Sequence, residues 1–269
     1  MDPNGKVALI TGAGSGIGRA TALLLAENGA SVVVADVDES GGNETVEMVK
    51  AAGGEAAFVR VDVTSRADVD AMVAFTTKTY GGLDIAYNNA GVGTPGARFP
   101  DAAPEDWERT LLIDLLAVVA CIQVEVPALK ERGGGVIIST ASIAGLMGYM
   151  PDPIYAAAKH GVVGLTRSME FLQADANIRV NCVCPGVVDT PMIRKVRDNS
   201  DPEAKARAEA MVASMPLIEP QTIAETVLEL IRDDSANGRA MSVTYGRPPR
   251  EVEAPMRFGR PDPAQQRRD

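Results

Sequence analysis

Short apolar runs alternate with longer stretches of helical period along most of the chain. Val7–Ile10, Ser31–Ala35, Ala57–Val61, Leu83–Tyr87, Gly135–Ser139, Ile178–Val183 and Arg239–Thr244 read as seven strands. Helix-length segments separate them, among them Gly18–Asn28, which Gly29 closes, and Glu44–Ala52. The strand runs lack the polar alternation of a half-exposed sheet, as strands covered on both faces do. The pattern therefore predicts an α/β fold with a doubly wound, seven-stranded parallel sheet and helices on both faces. No repeat and no linker composition interrupts residues 1–248, so they read as one domain. Residues 190–220 break the rhythm with a charged, Met-bearing helical patch between prolines and read as an excursion above the sheet. Residues 249–269 are rich in Pro and charge and read as an extended, partly disordered tail.

Composition narrows the function classes. The 269 residues carry 26 Lys+Arg against 36 Asp+Glu, a net charge of −10, which disfavours nucleic acid and anionic membranes as partners. The apolar stretch Leu111–Val126 is interrupted by Asp114, Gln123 and Glu125 and falls short of the ~20 residues of a membrane span. The N-terminal residues enter an apolar strand without signal-peptide architecture, so a cytoplasmic location is expected. The three cysteines, Cys121, Cys182 and Cys184, read as small buried residues rather than as a disulfide framework or a metal site. His160 is the single histidine, which excludes His-rich metal chemistry; its place beside Lys159 turns it away from that residue's helix face.

Two constellations carry chemistry. Thr11-Gly12-Ala13-Gly14-Ser15-Gly16-Ile17-Gly18 follows the first strand and opens the first helix, where glycines admit a pyrophosphate to a helix N-terminus. This makes the fold Rossmann-like and residues 1–248 a dinucleotide-binding domain. Asp36, at the end of the second strand, suits both ribose hydroxyls and repels a 2′-phosphate, so NAD is preferred to NADP. Arg19 is the one basic residue beside the loop that could oppose this preference. Tyr155-Ala156-Ala157-Ala158-Lys159 then sets a phenol and an ammonium one helical turn apart. A close ammonium favours the phenolate and should bring its pKa down towards neutrality. Ser142, just past a strand, offers a hydroxyl to polarise a carbonyl.

From Lys6 to about Val243 the chain resembles the short-chain dehydrogenase/reductases, single-domain enzymes of roughly 250 residues. The matching segments are Thr11–Gly18, Asp62-Val63, Asn88-Asn89-Ala90-Gly91, Ser142, Tyr155–Lys159 and Pro185–Thr190. The resemblance implies cofactor contacts from Gly12, Gly14, Ser15, Gly16, Ile17, Gly18 and Asp36. It implies that Asp62 and Val63 flank the adenine, that Asn89 lies beside the cofactor, and that Val188 and Thr190 meet the carboxamide. Tyr155 is then the general acid/base, Lys159 holds the ribose and tunes Tyr155, and Ser142 orients the substrate. Where the family usually has Asn as the fourth catalytic position, holding a water of the proton relay, this chain has Asp114. That carboxylate is expected to raise the Tyr155 pKa and move the pH optimum upward.

Tyr155–Ser168 and Asp233–Gly238 resemble the NAD-dependent 15-hydroxyprostaglandin dehydrogenase branch more narrowly. That branch has Gln three residues before its tyrosine. Asp152 stands there in this chain, an acid expected at the pocket edge to disfavour a carboxylate-bearing lipid. The whole pattern implies hydride transfer between NAD(H) and a secondary alcohol or ketone, with a homo-oligomer (tetramer or dimer) built through helices near Leu111–Ala128 and Tyr155–Gln173. Met192, Ile193, Met211 and Met215 in the excursion suggest an apolar substrate of steroid, terpenoid or lipid type. Two rivals are a 3-oxoacyl-thioester reductase, which Asp36 and the acidic charge oppose, and an NAD-binding sensor without turnover.

Overall fold

The computed structural model describes residues 1–194, 210 and 214–254. Among them eight strands form one sheet in the order β3-β2-β1-β4-β5-β6-β7-β8. They are β1 (Val7–Thr11), β2 (Ser31–Asp36), β3 (Glu55–Arg60), β4 (Ile85–Asn88), β5 (Gly135–Thr140), β6 (Ile178–Pro185), β7 (Ala240–Val243) and β8 (Arg250–Glu251). The first seven are parallel, and the burial of successive residues explains their unbroken apolarity. Ala8 and Ile10 of β1 pack on one face with Val32 and Val34 of β2. Leu9 and Val33 pack on the other.

Helices α1 (Gly16–Glu27), α2 (Glu39–Ala51) and α9 (Pro220–Arg232) cover the first face through Leu25, Val46, Ile223 and Val227. On the opposite face lie α3 (Arg66–Tyr80), α5 (Ala117–Glu131) and α6 (Pro153–Ser168), with Met72, Ile122 and Val162 inward. The order reverses between β1 and β4, so the carboxyl ends of those two strands frame a crevice, the place where such sheets take ligands.

Three features depart from the pattern expected of the sequence. First, α2 begins at Glu39 rather than Glu44, because the Asp38 carboxylate caps it by accepting from Ser40 N–H. Glycines inside that first turn do not stop it. A Cβ on Gly42 would stand 2.1 Å from the Phe58 ring, so glycine is what allows α2 to lie on β3. Second, the chain past Pro249 adds β8, antiparallel to β7 through Met241↔Glu251 and Ser242↔Arg250. This short strand covers an edge that β7 would otherwise expose.

Third, the apolar stretch near residue 111 belongs to a longer helical run. Pro104–Glu131, 28 residues, is long and apolar enough by composition to cross a membrane. It comprises α4 (Pro104–Leu111), a π-helical turn (Leu112–Leu116) and α5. In the fold it lies against the sheet and buries Val118, Cys121, Ile122 and Leu129. The remaining elements are α7 (Leu172–Ala176) and α8 (Pro191–Arg194). The base of the excursion is pinned where Ile218 N–H donates to Val187 O at 2.9 Å and Asp189 N–H to Ile218 O at 2.9 Å. Met211 and residues 255–269 lie outside the described residues.

The sheet also encloses an uncompensated acid. Glu125 of α5 is fully buried and accepts one hydrogen bond, from Asn88 Nδ2 at 2.9 Å. Its Oε1, Asn88 Oδ1 and Ser139 Oγ have no partner among the described residues. Burial, only partly offset by the Asn88 amide, pushes the carboxyl up from 4.5 to about 7. A pKa raised on folding costs stability as pH rises from about 4.5, and the full cost is reached above about 7. That cost is on the order of 3 kcal/mol, at ~1.4 kcal/mol per pH unit. Glu125→Gln keeps the shape and can donate to Asn88 Oδ1. It should therefore stabilise the fold at pH 8, do little at pH 5, and flatten the pH dependence of Tm.

Candidate active site

The crevice at the strand reversal is a cleft of about 530 Å³. Gly12, Ser15–Ile17, Asp36, Asp62, Val63, Asn89, Ser142, Tyr155, Lys159, Val188 and Thr190 all line it, so most of the residues singled out in the sequence meet here. The glycine loop is held from below. Asn89 Nδ2 donates to Thr11 O and Gly12 O, both at 3.1 Å, and Asn89 N–H donates to Thr11 Oγ1 at 3.0 Å. Asn89 thus lines the cleft, as its motif implies, and its amide also ties β4 to the loop. Gly12 has φ +64, where L side chains are strained. A Cβ on Gly18 would come within 2.2 Å of Gly12 O and 2.8 Å of Asn89 Nδ2, so this glycine lets α1 pack on the loop.

No side-chain hydrogen bond caps α1 at Ser15, leaving first-turn N–H groups and the positive end of the helix dipole facing the cleft. These features fit a pyrophosphate. Asp36 is fixed by Gly14 N–H to Oδ2 at 2.7 Å and Asp38 N–H to Oδ1 at 2.9 Å. Arg19, the cation nearest a 2′-phosphate by sequence, is committed elsewhere. Its guanidinium meets Glu44 at 2.6 Å and Thr45 Oγ1 at 3.0 Å, and it also donates to the Gly14 carbonyl. Thr190 stands over the loop, where its γ-methyl would lie 2.9 Å from a Cβ on Gly16. Met192 and Ile193 of α8 line the same side.

The reactive groups come from three elements. Ser142 caps a short 3₁₀ turn, its Oγ accepting from Ala144 N–H at 3.1 Å and donating to Pro185 O at 3.5 Å, and its hydroxyl favours the Tyr155 phenolate. On α6, Lys159 Nζ lies 5.4 Å from the Tyr155 ring centroid and donates to Thr140 O at 3.0 Å. The π-helical turn carries Asp114, whose Oδ1 accepts from Val92 N–H at 2.9 Å and meets Lys159 Nζ at 3.5 Å. Gly91 makes room for this contact, since a Cβ there would lie 2.7 Å from Asp114 Oδ1.

Electrostatics within the protein differ from the sequence expectation for Lys159 and agree with it in direction for Asp114. Burial raises the Tyr155 phenol above its ordinary range. Lys159 opposes that rise, and Asp114 reinforces it. Lys159 alone therefore does not bring the phenol towards neutrality. Burial likewise raises the Asp114 carboxyl against the pull of Lys159. Burial presses the Lys159 ammonium down, but Asp114 and Tyr155 outweigh it and its pKa rises.

Asp152 is a correction. It is buried rather than open to the pocket edge. It accepts from Thr94 N–H at 2.9 Å, from Thr94 Oγ1 at 2.8 Å and from Tyr155 N–H at 3.0 Å. It is the N-cap of α6, with Pro153 at the first helical position, and it aims Tyr155. The Asp-Pro pair is the capping signal that marks this role in the sequence. Thr140, which holds Lys159 through its carbonyl, and Arg109, which lines the cleft, carry no such signal. His160 is exposed, its ring against Ala156 O of its own helix, and stands outside the site.

Known proteins are similar to this chain in sequence and fold. The profile described as "short chain dehydrogenase" matches residues 6–201. A cyclohexanol dehydrogenase of Acinetobacter sp. (strain SE19) is 42% identical over 236 residues, 87% of this chain and 90% of that protein. The 15-hydroxyprostaglandin dehydrogenase [NAD(+)] of Mus musculus is 34% identical over 260 residues, 91% of each chain. The crystal structure of levodione reductase superposes with a TM-score of 0.81 at 32% identity, covering 90% of this chain and 96% of that one. The chain belongs to the short-chain dehydrogenase family. Its chemistry is oxidoreduction between alcohols and ketones.

Gly18→Ala tests the cradle. The intruding methyl should cost roughly 1–3 kcal/mol of stability, as overpacking does. It should also weaken dinucleotide binding, both read by denaturant titration and cofactor fluorescence.

Proposed function

We propose that this chain is an NAD(H)-dependent oxidoreductase acting on an apolar secondary alcohol and its ketone. A compact cyclic alcohol is the substrate class favoured. The observation carrying this reading is the meeting of Ser142, Tyr155 and Lys159 beside a glycine-lined helix N-terminus in one cleft. Nicotinamide, when bound, serves as hydride acceptor or donor.

The roles of the protein's own groups follow. The loop Gly12–Gly18 and the α1 terminus hold the pyrophosphate, and Asp36 takes the ribose hydroxyls. Asp62 and Val63 flank the adenine; Val188 and Thr190 hold the carboxamide. Ser142 Oγ orients the substrate oxygen. Tyr155 Oη removes its proton in oxidation and returns one in reduction. Lys159 holds the nicotinamide ribose and stabilises negative charge on the phenol oxygen.

Val92, Ile113, Met192 and Ile193 supply apolar wall in the cleft, which suits an alicyclic alcohol, and the similarity to a cyclohexanol dehydrogenase supports that class. NAD over NADP is supported by the fixed Asp36 and by the engagement of Arg19. Leu112, Leu116 and Val119 stand exposed on the outer side of the long helical run, which favours self-association of the chain.

Reduced-nicotinamide absorbance with a panel of cyclic and acyclic secondary alcohols tests the reading. Turnover with NAD is expected, and Tyr155→Phe should lose on the order of 10²–10⁴-fold in kcat. Tight NAD binding without turnover on any member would favour the sensor. Asp36→Ala should lower the ratio of kcat/KM for NAD over NADP about tenfold or more, a change of ~1.4 kcal/mol. An unchanged ratio would remove Asp36 from cofactor selection.

A further inference from the structure

At position 114 the chain buries a carboxyl inside its reactive cluster. Asp114 is fully buried, and its Oδ2 has no hydrogen-bond partner among the described residues. Oδ1 is held by Val92 N–H at 2.9 Å and lies 3.5 Å from Lys159 Nζ. Lys159 is therefore divided between the Thr140 carbonyl, Asp114 and Tyr155. Removed from bulk water, the charges of such a pair are felt strongly by a third group nearby. A carboxylate beside the ammonium cancels much of the field that would otherwise favour a phenolate.

The other titratable groups around Tyr155 do not restore that field. Asp152 at the start of α6 is engaged by Thr94 and by Tyr155 N–H, and it adds to the rise of the Asp114 carboxyl. Tyr149 packs edge-on against Tyr155, with ring centroids 6.5 Å apart. Cys184 of β6 is kept a neutral thiol by its neighbour Cys182 and by burial, and Arg109 of α4 lines the cleft but is exposed.

We propose that Asp114 is a positioning residue that neutralises the Lys159 ammonium and so keeps Tyr155 protonated at neutral pH, favouring carbonyl reduction there and moving alcohol oxidation to alkaline pH. This rests on the reading of Tyr155 as the proton-exchanging group. The elevated phenol pKa, set first by burial and then reinforced by Asp114, agrees in direction.

Asp114→Asn decides the matter, because the amide oxygen can keep the Val92 hydrogen bond while the charge is gone. Phenolate absorbance is titrated from pH 7 to 11 on the cofactor-free protein. Spectra of Tyr155→Phe, made in the parent and in the Asp114→Asn background, are subtracted to isolate Tyr155. The Tyr155 midpoint should fall by about one pH unit, a tenfold change in the phenolate equilibrium. The rising limb of kcat/KM for alcohol oxidation should move to lower pH with it. A midpoint that stays or rises overturns the proposal, whatever happens to the rate. If Asp114→Asn does not fold, Asp114→Ser is titrated in the same way. If the parent turns over no alcohol, the functional reading fails alone, since the titration still reports on Asp114.

Discussion

The structure turns on one buried ammonium. Lys159 reaches from α6 across the end of β5 to the Thr140 carbonyl and on to Asp114 in the π-helical turn. An ammonium enclosed by protein is tolerated only where acceptors meet it, and here β5 and the π-helical turn supply them. Gly91 and Gly145 leave the space this requires; a Cβ on Gly145 would lie 2.5 Å from Lys159 O. The same contacts that satisfy the lysine also fix the distance between α6 and the sheet, and with it the place of Tyr155. Chemistry and packing share these atoms.

A second network builds the neighbouring half of the cleft by a different means. The dinucleotide cradle is made of backbone, so its shape depends on which side chains are missing and on what braces the loop. Asn89 braces it from the end of β4, and Thr45 of α2 braces it together with Arg19 of α1. Arg19 shows how tertiary engagement changes a residue's meaning. Read alone, it is a cation near a phosphate site. In the fold it meets Glu44 and the Gly14 carbonyl, and Asp36 remains the charged group at the end of β2.

Much of this is legible in the order of residues. The layered sheet follows from strand runs without polar alternation, and the glycine loop and the Tyr155–Lys159 spacing mark the site because each depends on local geometry. Less legible are features set by contacts between distant segments. Gly41 and Gly42 look like helix breakers, yet α2 runs through them because Asp38 caps its first turn, and the bare Gly42 leaves room for the Phe58 ring. Asp152 resembles a pocket acid until Thr94 closes on it from 58 residues away. β8 is hidden because two residues of strand carry no periodicity.

Succession of elements, placement of glycines and the spacing of phenol and ammonium are properties of neighbours along a chain, and the linear order of residues is enough to set them. The charge state of the site is not such a property; it arises only in three dimensions. Whether an ammonium activates a phenol depends on what else is buried within a few ångströms, and the π-helical turn brings Asp114 to Lys159 from 45 residues away. Distance through space and exclusion of water govern that balance, and neither can be read from succession along the backbone.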